Sequence, residues 1–238
     1  MTGPRTLPSK GSPRGRKRAS HSLEAVLGAA VALLDEAGAP ALTFRALAAR
    51  LGTGVGTIYW YVSNKDELLD RATDHAIGEA LALVEGHPQS DDPIADLRAM
   101  AITLFDAIVD RPWLTAYFMR NTDVQGNSLR LYEKLGQQTL RLDLTPRQRF
   151  HAVSAITGVV IGTAADLGAE IPQEVLDGHM DRDAYLDRFV EQWRSLDSVE
   201  FPFVQQIADE FAGHDDRDQF VAALELTLSG LRLQAGTK

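Results

Sequence analysis

Residues 43–65, TFRALAARLGTGVGTIYWYVSNK, constrain this chain more than any other stretch. Thr43 is a suitable N-cap for a short helix that buries one apolar side and stops at Gly52, because Gly readily adopts the backbone conformation that ends a helix. A second short helix is predicted from about Thr53 or Gly54 to Val62. Two short helices joined by a tight turn, the second crowded with Thr, Tyr and Trp, match a helix-turn-helix, whose second helix enters the major groove of DNA.

The rest of the chain has helical periodicity. Apolar residues from Leu23 to Leu34 recur at three- and four-residue spacing, and Gly38 and Pro40 end that helix. Asn64 caps a fourth, long helix that runs to about residue 85. Further helices are predicted over 93–110, 112–120, 123–141, 145–168, 182–196, 202–212 and 216–234. No segment alternates polar and apolar residues for long, so the predicted class is all-α, with an N-terminal three-helix helix-turn-helix domain and a larger helical domain.

The charge is distributed unevenly along the chain. The net charge is −9, but residues 1–70 hold nine Lys and Arg against six acidic residues, and the remaining residues carry −12. This asymmetry predicts a polyanion-binding end and a separate acidic body, which like-charge repulsion keeps away from nucleic acid. The linker from His87 to Pro93 is the expected boundary, which gives a DNA-binding domain over 21–86 and a body over 87–238.

Residues 1–20 are rich in Pro, Gly, Ser and basic residues, and we expect them to be disordered. Two interpretations stay open. The segment is a basic arm that contacts phosphates or the minor groove, as in some DNA-binding proteins, or it is a solvated leader with no role of its own.

Composition argues against several other classes. The chain has no Cys, which excludes disulfides and thiolate metal sites and fits a reducing cytoplasm. No apolar stretch directly follows the basic N-terminus, as a secretory signal requires. The most apolar run, Ala152 to Ala169, is rich in small residues and contains Asp166, so it predicts a buried helix rather than a membrane span.

The glycines and aromatic residues of the helix-turn-helix favour a DNA contact. The Gly52–Gly56 stretch superficially resembles a nucleotide-binding loop, but that loop requires a preceding strand, so a turn that lets the backbone approach DNA is favoured. Ile58 and Val62, four residues apart, are expected in the core. Successive helical side chains diverge by about 100°, so the aromatic residues Tyr59–Tyr61 cannot all point inward. Those that are exposed suit contacts to phosphates and thymine methyls.

This motif resembles that of one known family. Ile58-Tyr59-Trp60-Tyr61-Val62, followed by Asn64-Lys65 and Leu68-Leu69, is similar to the signature of the TetR (tetracycline-repressor) family of bacterial transcriptional regulators. The resemblance covers Ser22 to about Ala80. The DNA contacts that it implies fall on Thr43, Arg45, Val55, Gly56, Thr57, Tyr59, Trp60, Tyr61 and Lys65. Tetracycline repressors carry a polar base-reading residue and a Pro at the places of Val55-Gly56, so their operator sequence cannot be assigned to this chain. For Arg50, a phosphate contact and a plain surface charge are equally good interpretations.

The resemblance extends to the body, where it implies dimerisation. In TetR relatives two late helices, here about 146–168 and 217–234, pair across a two-fold axis as a four-helix bundle. Gly158 and Gly162 share one helix face and would allow close approach of a second helix, with packing inside one subunit as the alternative. The expected interface residues are Gly158, Gly162, Leu224 and Leu228. A dimer also has independent support, because a two-fold pair of helix-turn-helices reads two half-sites.

The family resemblance also implies a ligand pocket between the DNA-binding helices and the dimer helices. Candidate lining residues are Phe105, Trp113, Tyr117, Phe118, Met119 and His151, although aromatic and Met residues at such spacing also fit a plain core. The implied effector is a small, largely apolar molecule, and we expect no cofactor and no metal. The magnesium-binding His pattern of tetracycline repressors is not apparent, which argues against tetracycline itself.

Two other classes of function compete with this interpretation. His179, Asp181 and Asp183 could suggest a metalloenzyme, but their surroundings do not supply a chelating geometry, and no nucleophile elbow, Walker sequence or metalloprotease helix is present. A helical protein-interaction module is disfavoured by the basic arm and the exposed aromatic residues. The sequence therefore predicts a cytoplasmic homodimeric repressor, not an enzyme, that a small molecule releases from a palindromic operator. A ligand-dependent activator of the same fold is the alternative.

Overall fold

The computed structural model describes residues 22–118, 126–167 and 180–236. Those residues form eleven helices and no strand, which confirms the predicted all-α class. The predicted basic arm lies outside the described residues. The helices are α1 (Leu23–Ala41), α2 (Phe44–Arg50), α3 (Val55–Ile58), α4 (Lys65–Glu85), α5 (Pro93–Val109), α6 (Pro112–Phe118), α7 (Gly126–Leu140), α8 (Pro146–Leu167), α9 (Arg182–Arg194), α10 (Pro202–Ala212) and α11 (Asp216–Gly236).

Polar side chains begin three of the first four helices. Ser22, Thr43 and Asn64 each accept a hydrogen bond from the backbone N–H three residues further on, at 3.1, 3.1 and 2.8 Å. Each bond satisfies one of the N–H groups that have no partner inside their own helix. These caps lie where the sequence predicts helix starts. The α1 backbone breaks, as expected, at Gly38, whose φ is +68°.

The third helix is shorter than expected. Helix α3 covers only Val55–Ile58, after which a tighter turn carries the chain to Val62. In this turn the N–H of Trp60 donates to the Thr57 carbonyl (3.3 Å) and the N–H of Tyr61 donates to the Ile58 carbonyl (2.9 Å), three residues back in each case. Such turns are frequent at helix ends because they satisfy carbonyls that a full α-turn leaves open. The backbone from 55 to 62 therefore turns continuously, so successive side chains still point in different directions around it.

Helix α4 connects the predicted DNA-binding helices with the body. Its 21 residues pack against α1 and also against α5, α6 and α7. The side chains that it buries are Leu68, Leu69, Ala72, Thr73, Ala76, Ile77, Ala80, Leu81 and Val84. Because one helix contributes to the packing on both sides, a change in how the body packs changes the support of the DNA-binding helices.

The core of the body is built around α5, α8 and α11. The rings of Phe105 on α5 and Phe220 on α11 stack with centroids 3.8 Å apart and planes at 3°. Helix α8 packs against α5, α6, α7 and α11. Helices α9 and α10 pack on each other, where the rings of Trp193 and Phe211 lie 4.4 Å apart.

Helix α8 differs from the buried helix that its sequence predicts. By length and composition it could cross a membrane, and only 28% of its most apolar stretch is buried in the protomer. Its inner side packs into the body, whereas Gly158 and Gly162 are exposed on the outer side. The residues that it buries are Val153, Ile156, Val160 and Ala164. A helix that packs along one side against four others leaves an apolar face open for a further partner.

The leucine stripe of α11 faces inward. Leu224 and Leu228 are 0% and 3% exposed, so they pack in the core of one protomer and not on the expected dimer surface. The reason is the tight packing of α11 against α5 and α8, which takes up this stripe. Leu226 and Leu233 are 78% and 73% exposed and occupy the outer side of the same helix.

A buried carboxylate fastens the linker between α4 and α5. The N–H of Ser90 donates to both Asp96 carboxylate oxygens (3.0 and 3.2 Å), and Nη1 of Arg141 donates to Asp96 Oδ2 (2.6 Å). Asp96 is only 6% exposed. Burial by itself would raise the pKa of Asp96, but the bonds from Ser90 and Arg141 hold it below its ordinary value. The carboxylate is therefore charged in the folded protein at neutral pH.

We expect Asp96→Asn to lower the free energy of unfolding at pH 7 by about 2 kcal/mol, because the substitution removes a charge-assisted, buried hydrogen bond. Chemical denaturation at a series of pH values measures this difference. Since the folded-state pKa is lowered, the stabilisation is present above the unfolded-state pKa and is lost as the pH falls through the folded-state pKa. Asp91→Asn, an exposed neighbour, is the control. A difference from wild type that grows on acidification would contradict the assignment.

Candidate nucleic-acid interface

The turn between α2 and α3 depends on one glycine. Gly52 has φ +62°, in the left-handed region that favours Gly over other residues. Its N–H donates to the Ala49 carbonyl (3.1 Å), and the N–H of Thr53 donates to the Ala48 carbonyl (2.9 Å). These bonds satisfy the last carbonyls of α2 while the chain reverses direction. The turn therefore sets the angle at which α3 leaves α2.

The start of α3 exposes its backbone. Gly54 and Gly56 are exposed, and a Cβ added at either residue would meet no other atom within 4 Å. Between them, Val55 is partly buried against the core. The hydroxyls of Thr53 and Thr57 are hydrogen-bonded to each other at 2.9 Å. A flat surface could thus approach the backbone of α3 closely, as sequence analysis predicts for DNA.

The aromatic residues after α3 divide as their spacing predicts. Ile58 and Val62 are 0% and 2% exposed and join the core. Tyr59 is 58% and Trp60 is 88% exposed, whereas Tyr61 is partly buried. These exposures confirm that the three aromatic residues cannot all point inward. Buried aliphatic residues on one side hold the exposed rings in place on the other.

The exposed ring of Tyr59 is supported from α2. It packs edge-on against Phe44, with ring centroids 4.7 Å apart and planes at 70°. Thr43, immediately before Phe44, accepts the capping bond of α2 through its hydroxyl oxygen. A hydroxyl can accept one hydrogen bond and donate another, so the capping role of Thr43 is compatible with its predicted DNA contact.

The basic residues around this surface have different partners. Arg45 is exposed at the start of α2. Lys65 is exposed at the start of α4, and its Nζ donates to the Ala39 carbonyl at 3.0 Å. Arg50 makes two hydrogen bonds of 2.7 Å to Glu36, which hold the pKa of Glu36 below its ordinary value. Arg50 therefore belongs to a surface ion pair, which is the alternative that the sequence leaves open.

Substitution of Lys65 tests its predicted contact with a DNA phosphate. We expect Lys65→Ala to weaken binding to all duplexes alike and to flatten the slope of log affinity against log salt by about one unit, since one phosphate contact fewer releases about one counterion fewer. Binding to two unrelated duplexes at several salt concentrations measures both effects.

Lys134→Ala, which removes a cation from α7, is the matched control and should leave the salt slope unchanged. Because Lys65 also contacts Ala39, thermal unfolding is followed for both variants. A changed sequence preference at an unchanged slope would mean that Lys65 does not contact phosphate.

The candidate ligand-lining residues lie in different settings. Phe105 is buried in the stack with Phe220, and His151 is exposed on α8. Trp113 on α6 donates from its indole Nε1 to Asp35 Oδ1 at 2.6 Å, so it reaches α1. Tyr117 and Phe118 belong to α6, but their side chains lie outside the described residues, as does Met119.

Charged residues join the body to the DNA-binding helices, and sequence analysis missed them. Arg111 lies between α5 and α6; its Nη1 is 2.6 Å from Glu79 Oε2 on α4, and its Nε is 3.4 Å from Asp35 Oδ2 on α1. Asp35 also accepts the bond from Trp113. Pairs between such distant positions leave no periodic signal in a sequence, so only the folded chain shows them.

The group of His179, Asp181 and Asp183 lies only partly within the described residues. Asp181 caps α9, because its Oδ1 accepts a hydrogen bond from the backbone N–H of Ala184 at 2.7 Å, and His179 lies outside the described residues. Within 22–118, 126–167 and 180–236, no three His, Asp or Glu side chains come together as a metal site would require.

Family models match both parts of this architecture. Residues 26–72 match "Bacterial regulatory proteins, tetR family", and residues 85–235 match "Tetracyclin repressor-like, C-terminal domain". The fold and the exposed surface of the helix-turn-helix thus place this protein among helix-turn-helix regulators of transcription. The chain belongs to the TetR family of bacterial transcriptional regulators.

Individual relatives agree with this assignment. The solved structure of the transcriptional regulator SCO7222, a TetR from Streptomyces coelicolor, is 37% identical with a TM-score of 0.76 and covers 90% of this chain and 99% of that one. The HTH-type transcriptional repressor DrrR1 of Streptomyces coeruleorubidus is 26% identical over 218 residues, 89% of this chain and 77% of that protein. An HTH-type transcriptional regulator of Saccharopolyspora erythraea is 40% identical over 91 residues, only 38% of this chain and 37% of that protein.

Proposed function

We propose that this regulator is a homodimeric repressor that binds a palindromic operator in the cytoplasm and is released by a small-molecule effector. The observation that carries the DNA contact is the outward display of Tyr59 and Trp60 from a helix-turn-helix whose Ile58 and Val62 are buried. Beside them the backbone at Gly54 is open to an approaching surface. The name of the relative DrrR1 supports repression as the mode of action.

The effector binds the body in this proposal, next to α6. Helix α6 lies between α1, α4, α5 and α8, so a molecule bound there acts on elements that also contact the DNA-binding helices. The lining residues stay as sequence analysis predicts them, with a largely apolar effector. Trp113 links such a site to α1 through Asp35. Effector and operator then compete through one conformational equilibrium, and each lowers the affinity for the other by the same factor.

Selection of binding sites from random duplex DNA at two salt concentrations tests the operator. We expect an enriched palindrome with half-sites about 34–36 Å, or one helical turn, apart. The enriched duplex then serves as the probe for effector screening. A compound that lowers operator affinity supports repression with release, and one that raises it supports the ligand-dependent activator. Binding without sequence enrichment, which vanishes at moderate salt, would refute sequence-specific recognition by the protein alone.

The dimer forms in this proposal through the outer faces of α8 and α11. Gly158 and Gly162 leave α8 without side chains at two successive turns, so a second α8 can approach closely. Leu226 and Leu233 supply exposed apolar surface on α11, which packs beside α8. Removal of such surface from water is the main favourable contribution to association. Gly158 and Gly162 thus keep their predicted role, and Leu226 and Leu233 replace Leu224 and Leu228.

Gly162→Phe tests this interface. A Cβ at Gly162 meets no atom of its own protomer within 4 Å, so the protomer should still fold. The ring should instead block the partner, and overpacking of about 1–3 kcal/mol in each protomer raises the dimer dissociation constant roughly tenfold or more.

Sedimentation velocity over a concentration series measures the change, with circular dichroism as the check on folding. Gly136→Phe on α7, also without an atom within 4 Å of its Cβ, is the matched control and should remain dimeric. An unaffected dimer in Gly162→Phe places the interface elsewhere.

A further inference from the structure

The start of α7 is hydrogen-bonded to the middle of α4. Asn127, the second residue of α7, makes three hydrogen bonds to Asp74, which lies 53 residues earlier. Its backbone N–H donates to Asp74 Oδ1 (3.0 Å), and its side-chain Nδ2 donates to Asp74 Oδ2 (3.1 Å) and to the Asp74 carbonyl (2.9 Å). Asn127 of the body is thereby hydrogen-bonded to both the side chain and the backbone of Asp74 on α4.

A missing side chain on α4 makes this contact possible. Gly78 lies one turn after Asp74, on the same face of the helix. A Cβ at Gly78 would lie 2.7 Å from Nδ2 of Asn127, a distance that real Cβ atoms essentially never show, and 3.2 Å from its Cγ, which is tighter than most real contacts. Glycine inside a helix is unfavourable compared with Ala. The close approach of Asn127 gives a physical reason for a glycine at this position.

Electrostatics also favour the contact between Asp74 and the start of α7. The N–H groups in the first turn of a helix have no partner in that helix and carry partial positive charge. Helix α7 has 15 residues, and the Asp74 carboxylate accepts a bond from its first turn. Asp74 and Asn127 are both partly buried, which protects the bonds from competing water. The carboxylate of one helix thus caps another helix of the body.

The bonded pair lies close to the DNA-binding surface. Helix α4 begins at Lys65, five residues after the exposed Trp60, and Asp74 lies nine residues further, about 14 Å along the helix axis. Helix α4 also shares the core of α1 through residues such as Leu68 and Ala72. A contact that fixes α4 on α7 therefore fixes the tilt of the whole DNA-binding unit relative to the body.

We propose that Asp74, Gly78 and Asn127 form a positioning contact that holds the DNA-binding helices at the orientation required for two-half-site binding. This inference rests on the proposed function, in which a dimer binds a palindromic operator. When the contact opens, each helix-turn-helix keeps its own core and its own DNA-contacting side chains. The two units in a dimer then lose their fixed separation, so binding to the second half-site is no longer favoured by the first.

The first test compares a palindrome with a single half-site. For Asn127→Ala we expect roughly tenfold weaker binding to the enriched palindrome, within the usual range of coupling between distant sites, and unchanged binding to a half-site duplex. Gly78→Ala should have the same effect, because its Cβ displaces Asn127 although Ala favours the helix. Gln137→Ala, which removes an exposed amide from the same helix α7, is the matched control and should change neither affinity.

The double variant Gly78→Ala/Asn127→Ala separates the contact from unrelated effects. Once the Asn127 side chain is absent, the Cβ at residue 78 has room. The double variant should therefore bind the palindrome no more weakly than Asn127→Ala alone, and the two effects should not add. Additive losses, or an equal loss on the half-site duplex, would show that the substitutions act on the DNA-binding unit itself and would overturn the proposal.

A distance measurement tests the contact without an operator. The chain has no Cys, so Cys residues introduced at the exposed Ala49 on α2 and Ala95 on α5 carry two spin labels selectively. Dilution with unlabelled chain restricts pulsed electron–electron measurements to pairs within one protomer. We expect a narrow distance distribution for wild type and for Gln137→Ala, and a broader or shifted one for Asn127→Ala and Gly78→Ala.

The two experiments distinguish failure of the contact from failure of the proposed function. If wild type enriches no palindrome, the operator reader is wrong, and the distance distributions alone decide whether Asn127 positions α4. If wild type binds a palindrome but both variants bind it equally well and keep a narrow distribution, the positioning contact is wrong and the operator reader stands.

Discussion

The packing of α4 between two groups of helices is the constraint on which the rest of the structure depends. Its buried side chains complete the core of the DNA-binding unit with α1 and also pack against α5, α6 and α7. A packed interior deforms little, so a shift on one side of such a helix must appear on the other. Around this apolar packing, Asp74 and Glu79 on α4 and Asp35 on α1 add directed polar bonds to residues of the body.

The DNA-binding surface follows from the same division between buried and exposed sides. Ile58 and Val62 fix the segment after α3 in the core, and this burial leaves Trp60 in solvent at 88% exposure. In the proposed function the partner of this surface is DNA, whose backbone and base edges offer both charge and apolar methyl groups.

Local signals predicted the helices well because their causes are local. The caps at Ser22, Thr43 and Asn64 each act over three residues, so their effect can be read directly from the chain. Spacing also separated Ile58 and Val62 from the exposed aromatic residues. The same spacing could not say which side of α11 faces the core, since a stripe of leucines suits a protomer interior and a dimer interface equally. Burial shows that Leu224 and Leu228 belong to the interior.

The sequence by itself determined the all-α class, the helix-turn-helix, the family and the split between a basic end and an acidic body, because periodicity, caps and charge counts are properties of neighbouring residues. Only the tertiary structure decided which helix faces stay open, where Trp113 points and which polar residues join the two units. Asn127 meets Asp74 across 53 residues, and Gly78 matters only because Asn127 comes within reach of it. Such contacts depend on the folded path of the chain, and no local pattern encodes them.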